Sequence, residues 1–173
     1  MKGHEFSLFA DYYQFYVQDE AANGDLSAGW DAAAGGRLLA VAPGTLGVGT
    51  VRNVHVPVRL EVHEAEPAQD LAAWDHVVEC SLAAPSGRLV IAGCTDHLPD
   101  AARVDVPAGD LRARVSYGAL ATLSGDGLDG GDHYRIQLWP GAPAAVRLLK
   151  QRTSPPVQKG SPCFLGGRHR TPG

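Results

Sequence analysis

The sequence predicts an all-β fold: two packed antiparallel sheets forming a β-sandwich of jelly-roll or immunoglobulin-like type, with little helix. Three observations carry this. Apolar and polar residues alternate in several short runs, the period-two mark of half-buried strands. Turns bearing Gly and Pro separate these runs at short spacing, as in two-sheet proteins. The few stretches of helical character are broken by glycine, a weak helix former.

The opening stretch "EFSLFADYYQFYVQDE", residues 5–20, reads as the first strand. Phe6, Leu8, Ala10 and Tyr12 share one face, and Ser7, Phe9, Asp11 and Tyr13 the other. Aromatics on both faces predict a strand covered on both sides, with an exposed aromatic binding strip as the alternative. "LSAGWDAAAGGRLLAVA" allows a turn or two of helix between Leu26 and Ala34. "APGTLGVGT" is glycine-rich but lacks the Lys-Ser/Thr ending of a phosphate loop, so it is read as a turn into a strand.

"VRNVHVPVRLEV" predicts a strand over Val51 to Val62, with Val54, Val56, Val58, Leu60 and Val62 on its buried face. Pro57 has no N–H, which argues for a sheet edge or a bulge. "AQDLAAWDHV" carries a short helical turn ending near Trp74. "HVVECSLAAPSGRLVIAG" reads as a strand pair about a Pro-Ser-Gly turn, and "RVDVPAGDLRARVSYG" repeats the design. "HYRIQLWPG" is the last long strand, with Tyr134, Ile136 and Leu138 on one face and His133, Arg135, Gln137 and Trp139 on the other. Trp30 and Trp74 are read as core anchors, and Trp139 as the cap of an open edge or of the tail.

At 173 residues, 45% hydrophobic and 20% charged, the chain suits one domain with a proper core. That domain is placed at 1–150. Residues 151–173 are basic and rich in Pro, Gly and Ser, which predicts a flexible tail. No apolar run reaches the roughly 20 residues that span a bilayer, and the N-terminus lacks a signal-peptide pattern, so the sequence predicts a cytoplasmic protein with no membrane partner.

Net charge is −4, but residues 1–150 hold 11 Lys and Arg against 19 acids, a net of −8. Such a body disfavours direct binding of a nucleic-acid backbone, which demands a cationic face, and suits a basic protein partner. The three cysteines, Cys80, Cys94 and Cys163, are too few and too irregular for a disulfide framework. Cys80 and Cys94 flank the predicted hairpin and are read as small core or edge residues, with a bond between them as the alternative.

The stretch "SGDGLDGGDHY" sets Asp126, Asp129 and Asp132 among glycines, a chemically possible divalent-ion loop, although the spacing is not that of an EF-hand and a solvated turn is the plainer reading. "AGCTDHL" brings Cys94, Asp96 and His97 close in sequence; a catalytic thiol there needs its base within hydrogen-bond reach. The seven histidines show no H-E-x-x-H spacing and no serine sits in G-x-S-x-G. No cofactor is implied.

The order of pieces is itself a signature. It runs from "YYQFYV" at Tyr12–Val17 through Trp30–Asp31, "LAVAPGTLGVGTVRN" and a Val-Pro-Val strand, then the two strand–turn–strand units and a final "YRIQLW". Over residues 5–140 this resembles the small β-sandwich proteins of the competence protein J type, which inhibit a nuclease of DNA uptake. The resemblance implies an acidic, non-catalytic protein that binds and blocks a nuclease or a toxin-like enzyme. Tyr13, Gln14, Tyr16, Asp19 and Glu20 of the first strand are the expected contact residues. The alternative is a sandwich that binds a small ligand, a sugar or a divalent ion, through its aromatic and Asp-bearing loops.

Overall fold

The computed structural model describes residues 1–153; the predicted tail falls, from residue 154 onward, outside the described residues. The strands are β1 (Lys2–Phe9), β2 (Gln14–Asp19), β3 (Leu39–Ala42), β4 (Thr45–Gly49), β5 (His55–Val62), β6 (His76–Ala84), β7 (Arg88–Gly93), β8 (Ala102–Asp105), β9 (Gly109–Gly118), β10 (His133–Pro140) and β11 (Arg147–Lys150). One short helix, α1 (Ala32–Arg37), is capped by Asp31, whose carboxylate accepts the Ala34 N–H at 2.7 Å, the usual N-cap bond. It starts where the expected helix was to end, because the cap residue, not the upstream glycine, sets the start.

Two sheets form, in the orders β1-β5-β10-β9-β6-β11 and β3-β4-β2-β7-β8. Their inward faces share one buried cluster: Val58, Leu60, Val115 and Ile136 from the first sheet meet Phe15, Leu46 and Ile91 from the second. The architecture is thus mostly β in two sheets, but not purely antiparallel, since β5 and β10 pair in parallel. Parallel strands are usually covered on both faces, and the outer face here is partly covered by residues 64–74, described below.

Both predicted strand–turn–strand units are bridges between the sheets, not hairpins. β6 lies in the first sheet and β7 in the second; β8 lies in the second and β9 in the first. Alternation assigns each strand a buried face, and the core faces of β6 (Val78, Cys80, Leu82) and β7 (Leu89, Ile91) close on the same cluster from opposite sides.

The opening stretch is likewise two strands. β1 pairs with β5 and β2 with β4 and β7, so the chain crosses from one sheet to the other at Asp11–Tyr13. This explains the imperfect alternation of residues 5–20. Pro57 is neither at a sheet edge nor shown in a bulge: β5 is interior, and the β10 ladder begins only at Val58 opposite Tyr134, so at Pro57 only β1 is a ladder neighbour. Leu71–Ala73 form the short helical turn expected before Trp74. No helix among the described residues is long and apolar enough to cross a membrane.

Candidate binding surface

Strand registers bring four connections to one end of the fold. Gln14 lies opposite Gly49, Phe15 opposite Gly93, Phe9 opposite His55, and Gly118 opposite His133. Residues 10–13, 50–54, 94–101 and 119–132 therefore emerge together. They contain six aspartates against one arginine, Arg52.

The 10–13 turn is tight. Tyr12 and Tyr13 both adopt left-handed backbone, with φ of 56° and 59°, which costs roughly 1–2 kcal/mol per non-glycine residue. Main-chain bonds impose it: Ala10 N–H to the Val54 carbonyl at 3.0 Å, Tyr13 N–H to the Ala10 carbonyl at 3.0 Å, and Thr50 N–H to the Tyr13 carbonyl at 2.8 Å. Ala10 and Phe15 are thereby fully buried, and the Tyr12 ring is left 45% exposed.

In the 94–101 connection the Asp96 carboxylate accepts the Gly93 N–H at 2.7 Å, and His97 Nδ1 lies 2.9 Å from Asp100 Oδ2. In the 119–132 connection Asp126 accepts from the Ser124 hydroxyl at 2.5 Å and the Leu128 N–H at 3.0 Å; those two bonds hold its carboxyl below the usual range. Leu98 and Leu128 are exposed on these two connections. This end thus presents carboxylates interleaved with the exposed side chains of Tyr12, Leu98 and Leu128.

The five expected contact residues do not form one patch. Tyr13 is half-buried at the acidic end. Gln14 and Tyr16 are buried, the Tyr16 hydroxyl lying 3.3 Å from Cys94 Sγ, and burial pushes that phenol up to about 12. Asp19 is buried at the opposite end, where it accepts from the Ser86 hydroxyl at 2.6 Å and the Ala21 N–H at 3.1 Å. Glu20 is exposed there beside Arg103 at 3.4 Å. Tyr12, read on one strand face with an exposed strip as the alternative and not among the five expected contact residues, is exposed here; the paired tyrosines beside Asp11 are the sequence's hint of a strand break.

The three aspartates of 124–133 also separate. Asp126 and Asp129 are exposed, whereas Asp132 is fully buried in an ion pair with Arg52 and accepts the Tyr134 hydroxyl at 2.6 Å. Among the described residues no group of three or more His, Cys, Asp and Glu side chains is arranged to hold a metal ion. Cys80 is a free thiol inside the core, so the alternative of a bond to Cys94 is excluded. Cys94 is buried, while His97 is exposed and turned to Asp100.

A second feature lies on the outer face of the first sheet, a groove of about 290 Å³ lined by Glu5, Arg59, Glu61, Trp74, His133 and Arg135 among others. Arg59 bridges Glu5 and Glu61 at 2.7 Å each. Burial raises the Glu61 carboxyl, but bonds from Arg59, Gln137 and His63 outweigh it and hold the group below its usual range. Arg135 grips Asp70 with two bonds of 2.8 and 2.6 Å and lies under the Trp74 ring at 4.5 Å. Arg114, wholly buried, ties Glu79 and Glu66 together at 2.8 and 3.1 Å and lies over Trp139. Trp74 and Trp139 therefore serve this outer face, and Trp30 packs on a separate small cluster with Tyr16 and Leu26, so none of the three tryptophans belongs to the main core. Each groove arginine is already paired with a carboxylate, Arg59 with Glu5 and Glu61 and Arg135 with Asp70.

No protein-family model matches the chain, and no curated protein matches its sequence. Two solved structures share the fold. ComJ from Bacillus subtilis, an inhibitor of the DNA-degrading activity of NucA, superposes with a TM-score of 0.59 at 19% identity, over 80% of this chain and 95% of that one. Protein J of crocagin biosynthesis superposes with a TM-score of 0.56 at 20% identity, over 82% of this chain and all of that one. The chain thus bears a remote, fold-level resemblance to ComJ, in agreement with the likeness seen in the sequence.

Proposed function

We propose that this chain is a non-catalytic binding protein that blocks a basic enzyme of the nuclease or toxin-like class, using its acidic, tyrosine-bearing end. The observation that carries the reading is the fold shared with a nuclease inhibitor over nearly all of that inhibitor's length. Fold alone does not fix function, so the chemistry of the surface supplies the rest. A nuclease carries cationic groups that bind phosphate; carboxylates at Asp11, Asp96, Asp100, Asp126 and Asp129 complement them, and opposite charge accelerates encounter. Tyr12 and Tyr13 supply apolar area with few rotors to freeze.

The experiment is capture with the full chain as bait from its host's lysate, at low and moderate salt, followed by plasmid degradation by whatever is captured. A captured DNA-degrading activity that falls stoichiometrically as the chain is added supports the proposal. Eluates at both salts that contain no degrading or toxin-like enzyme overturn it.

A second reading, a small-ligand module, draws support from the groove, where Trp74 offers a flat ring beside Arg59 and His133. Aromatic walls of this kind suit a sugar. Asp126, Asp129 and Asp132 do not line that groove, so the ring and the aspartate loop do not converge as such a module would use them.

A further inference from the structure

The last described strand, β11, is a four-residue edge that slips register against β6 between Leu148 and Lys150. Beyond it the chain reaches Arg152, whose main-chain N–H points at Nδ1 of His76 at 3.3 Å. His76 is fully buried, and its Nε2 lies 2.8 Å from the Arg37 carbonyl. A carbonyl only accepts and an N–H only donates, so Nε2 carries the proton and Nδ1 is bare. The two contacts select one neutral tautomer.

The surroundings of the ring favour that state. From β9, Tyr117 packs edge-on at 5.1 Å and gives its hydroxyl proton to the Leu38 carbonyl at 2.6 Å. From the end of α1 comes Arg37, and from the C-terminal segment the buried cation of Arg152. On β6's own approach, the Asp75 carboxylate accepts the Leu120 N–H at 2.8 Å. From β11, the Lys150 ammonium is bound to the Leu71 carbonyl at 3.0 Å. Burial holds the imidazole below its ordinary range; the Arg37 carbonyl opposes this, and the Arg152 charge adds to it.

We propose that His76 is a proton-operated latch that holds the segment 147–153 against β6 and frees it on acidification. Protonation puts a hydrogen on Nδ1, which then faces the Arg152 N–H donor to donor, beside a guanidinium. Besides the His76 contact the segment is held by its short ladder to β6, the Lys150–Leu71 bond and the burial of the Arg152 side chain; Arg147 and Leu148 are exposed, and short exposed edges are the first elements to open. Release uncovers the main-chain edge of β6 at Val77–Glu79.

Proton–nitrogen NMR of the full chain, from about pH 7.5 to 4.5, tests this. The expected result is a common midpoint for the His76 ring and the Arg152 amide, below the ordinary histidine value of about 6.5. Exchange protection at 148–152 should fall about tenfold or more below that midpoint, while Val115 and Ile136 keep theirs. His76→Phe should leave Arg152 unprotected at every pH; His76→Gln, a neutral side chain with a carbonyl acceptor, should make the segment insensitive to pH. An Arg152 amide that ignores the His76 titration overturns the latch, as does acid release that persists in either variant. If neither variant folds, the wild-type titration decides alone.

Discussion

Arg52 and Asp132 form an ion pair at the base of the acidic end, with the aspartate wholly shielded from solvent. Asp132 also holds the Tyr134 hydroxyl, which in turn accepts the Val51 N–H at 3.0 Å, and Arg52 reaches the Leu128 carbonyl at 3.3 Å. One carboxylate thus fastens the 119–132 connection to the 50–54 connection and to the core.

Asp132→Asn keeps the shape and strands a buried guanidinium. Breaking one side of a buried pair costs about 3–5 kcal/mol, and a loss of that size is expected in urea unfolding. A loss below about 1 kcal/mol, the value of an exposed pair, would show that the connection is held otherwise.

Gly93 is where β7 passes beneath β1. A Cβ built there would stand 2.3 Å from the Phe9 carbonyl oxygen, a backbone atom that cannot swing away. Gly93→Ala is expected to lose about 2 kcal/mol or more, by overpacking and backbone shift. Gly35→Ala is the control: within α1 nothing lies within 4 Å of the added atom, and a helical Gly→Ala gains roughly 0.5–1 kcal/mol. Melting temperatures moving in opposite directions check both.

Strand content was legible because burial in β5 and β10 writes itself as alternation: Val56, Val58 and Leu60 face inward as read, as do Tyr134, Ile136 and Leu138. Sheet membership was not. The Pro-Ser-Gly turn looks alike whether the next strand pairs with the last or crosses over the core, and only the non-local partners of β6 and β7 decide. The acidic end was partly legible for the same reason. Asp126 and Asp129 sit in a glycine-rich loop and are exposed as a turn demands, whereas Asp132 is buried because Arg52, 80 residues away, reaches it, and no local pattern carries that. Asp19 misled likewise: an acid after a strand reads as surface, yet it is consumed by the Ser86 turn 67 residues on.

Cys80 lies in the core, and burial pushes its thiol up to about 12, with nearby Arg112 opposing. An unfolded thiol ionises near 8.5. The folded state therefore holds its proton more tightly, so this group's contribution to stability is whole below about pH 8.5 and falls as the pH rises above it. In the native protein Cys80 should stay unlabelled by a thiolate-directed reagent at about pH 8, and react once denaturant opens the core. Peptide mapping after labelling reads this directly; fast native labelling at Cys80 would mean that β6 opens locally.

If the acidic end is the docking surface, its charge and its aromatic ring should act on different rates. Asp100, Asp126 and Asp129 are exposed, and Asn retains the oxygen that accepts the Ser124 and Leu128 bonds at Asp126. The triple Asp→Asn variant should therefore fold with an unchanged melting temperature and lose only field. Steering works through encounter, so the association rate with a captured basic enzyme should fall about tenfold at low salt, and its salt dependence should flatten. Tyr12→Ala removes an exposed ring without touching charge, and its effect belongs in the dissociation rate, as for an anchor at the centre of a contact. Surface plasmon resonance at two ionic strengths separates the cases. An association rate indifferent to all three carboxylates, with dissociation unmoved by Tyr12→Ala, would place the contact elsewhere on the two sheets.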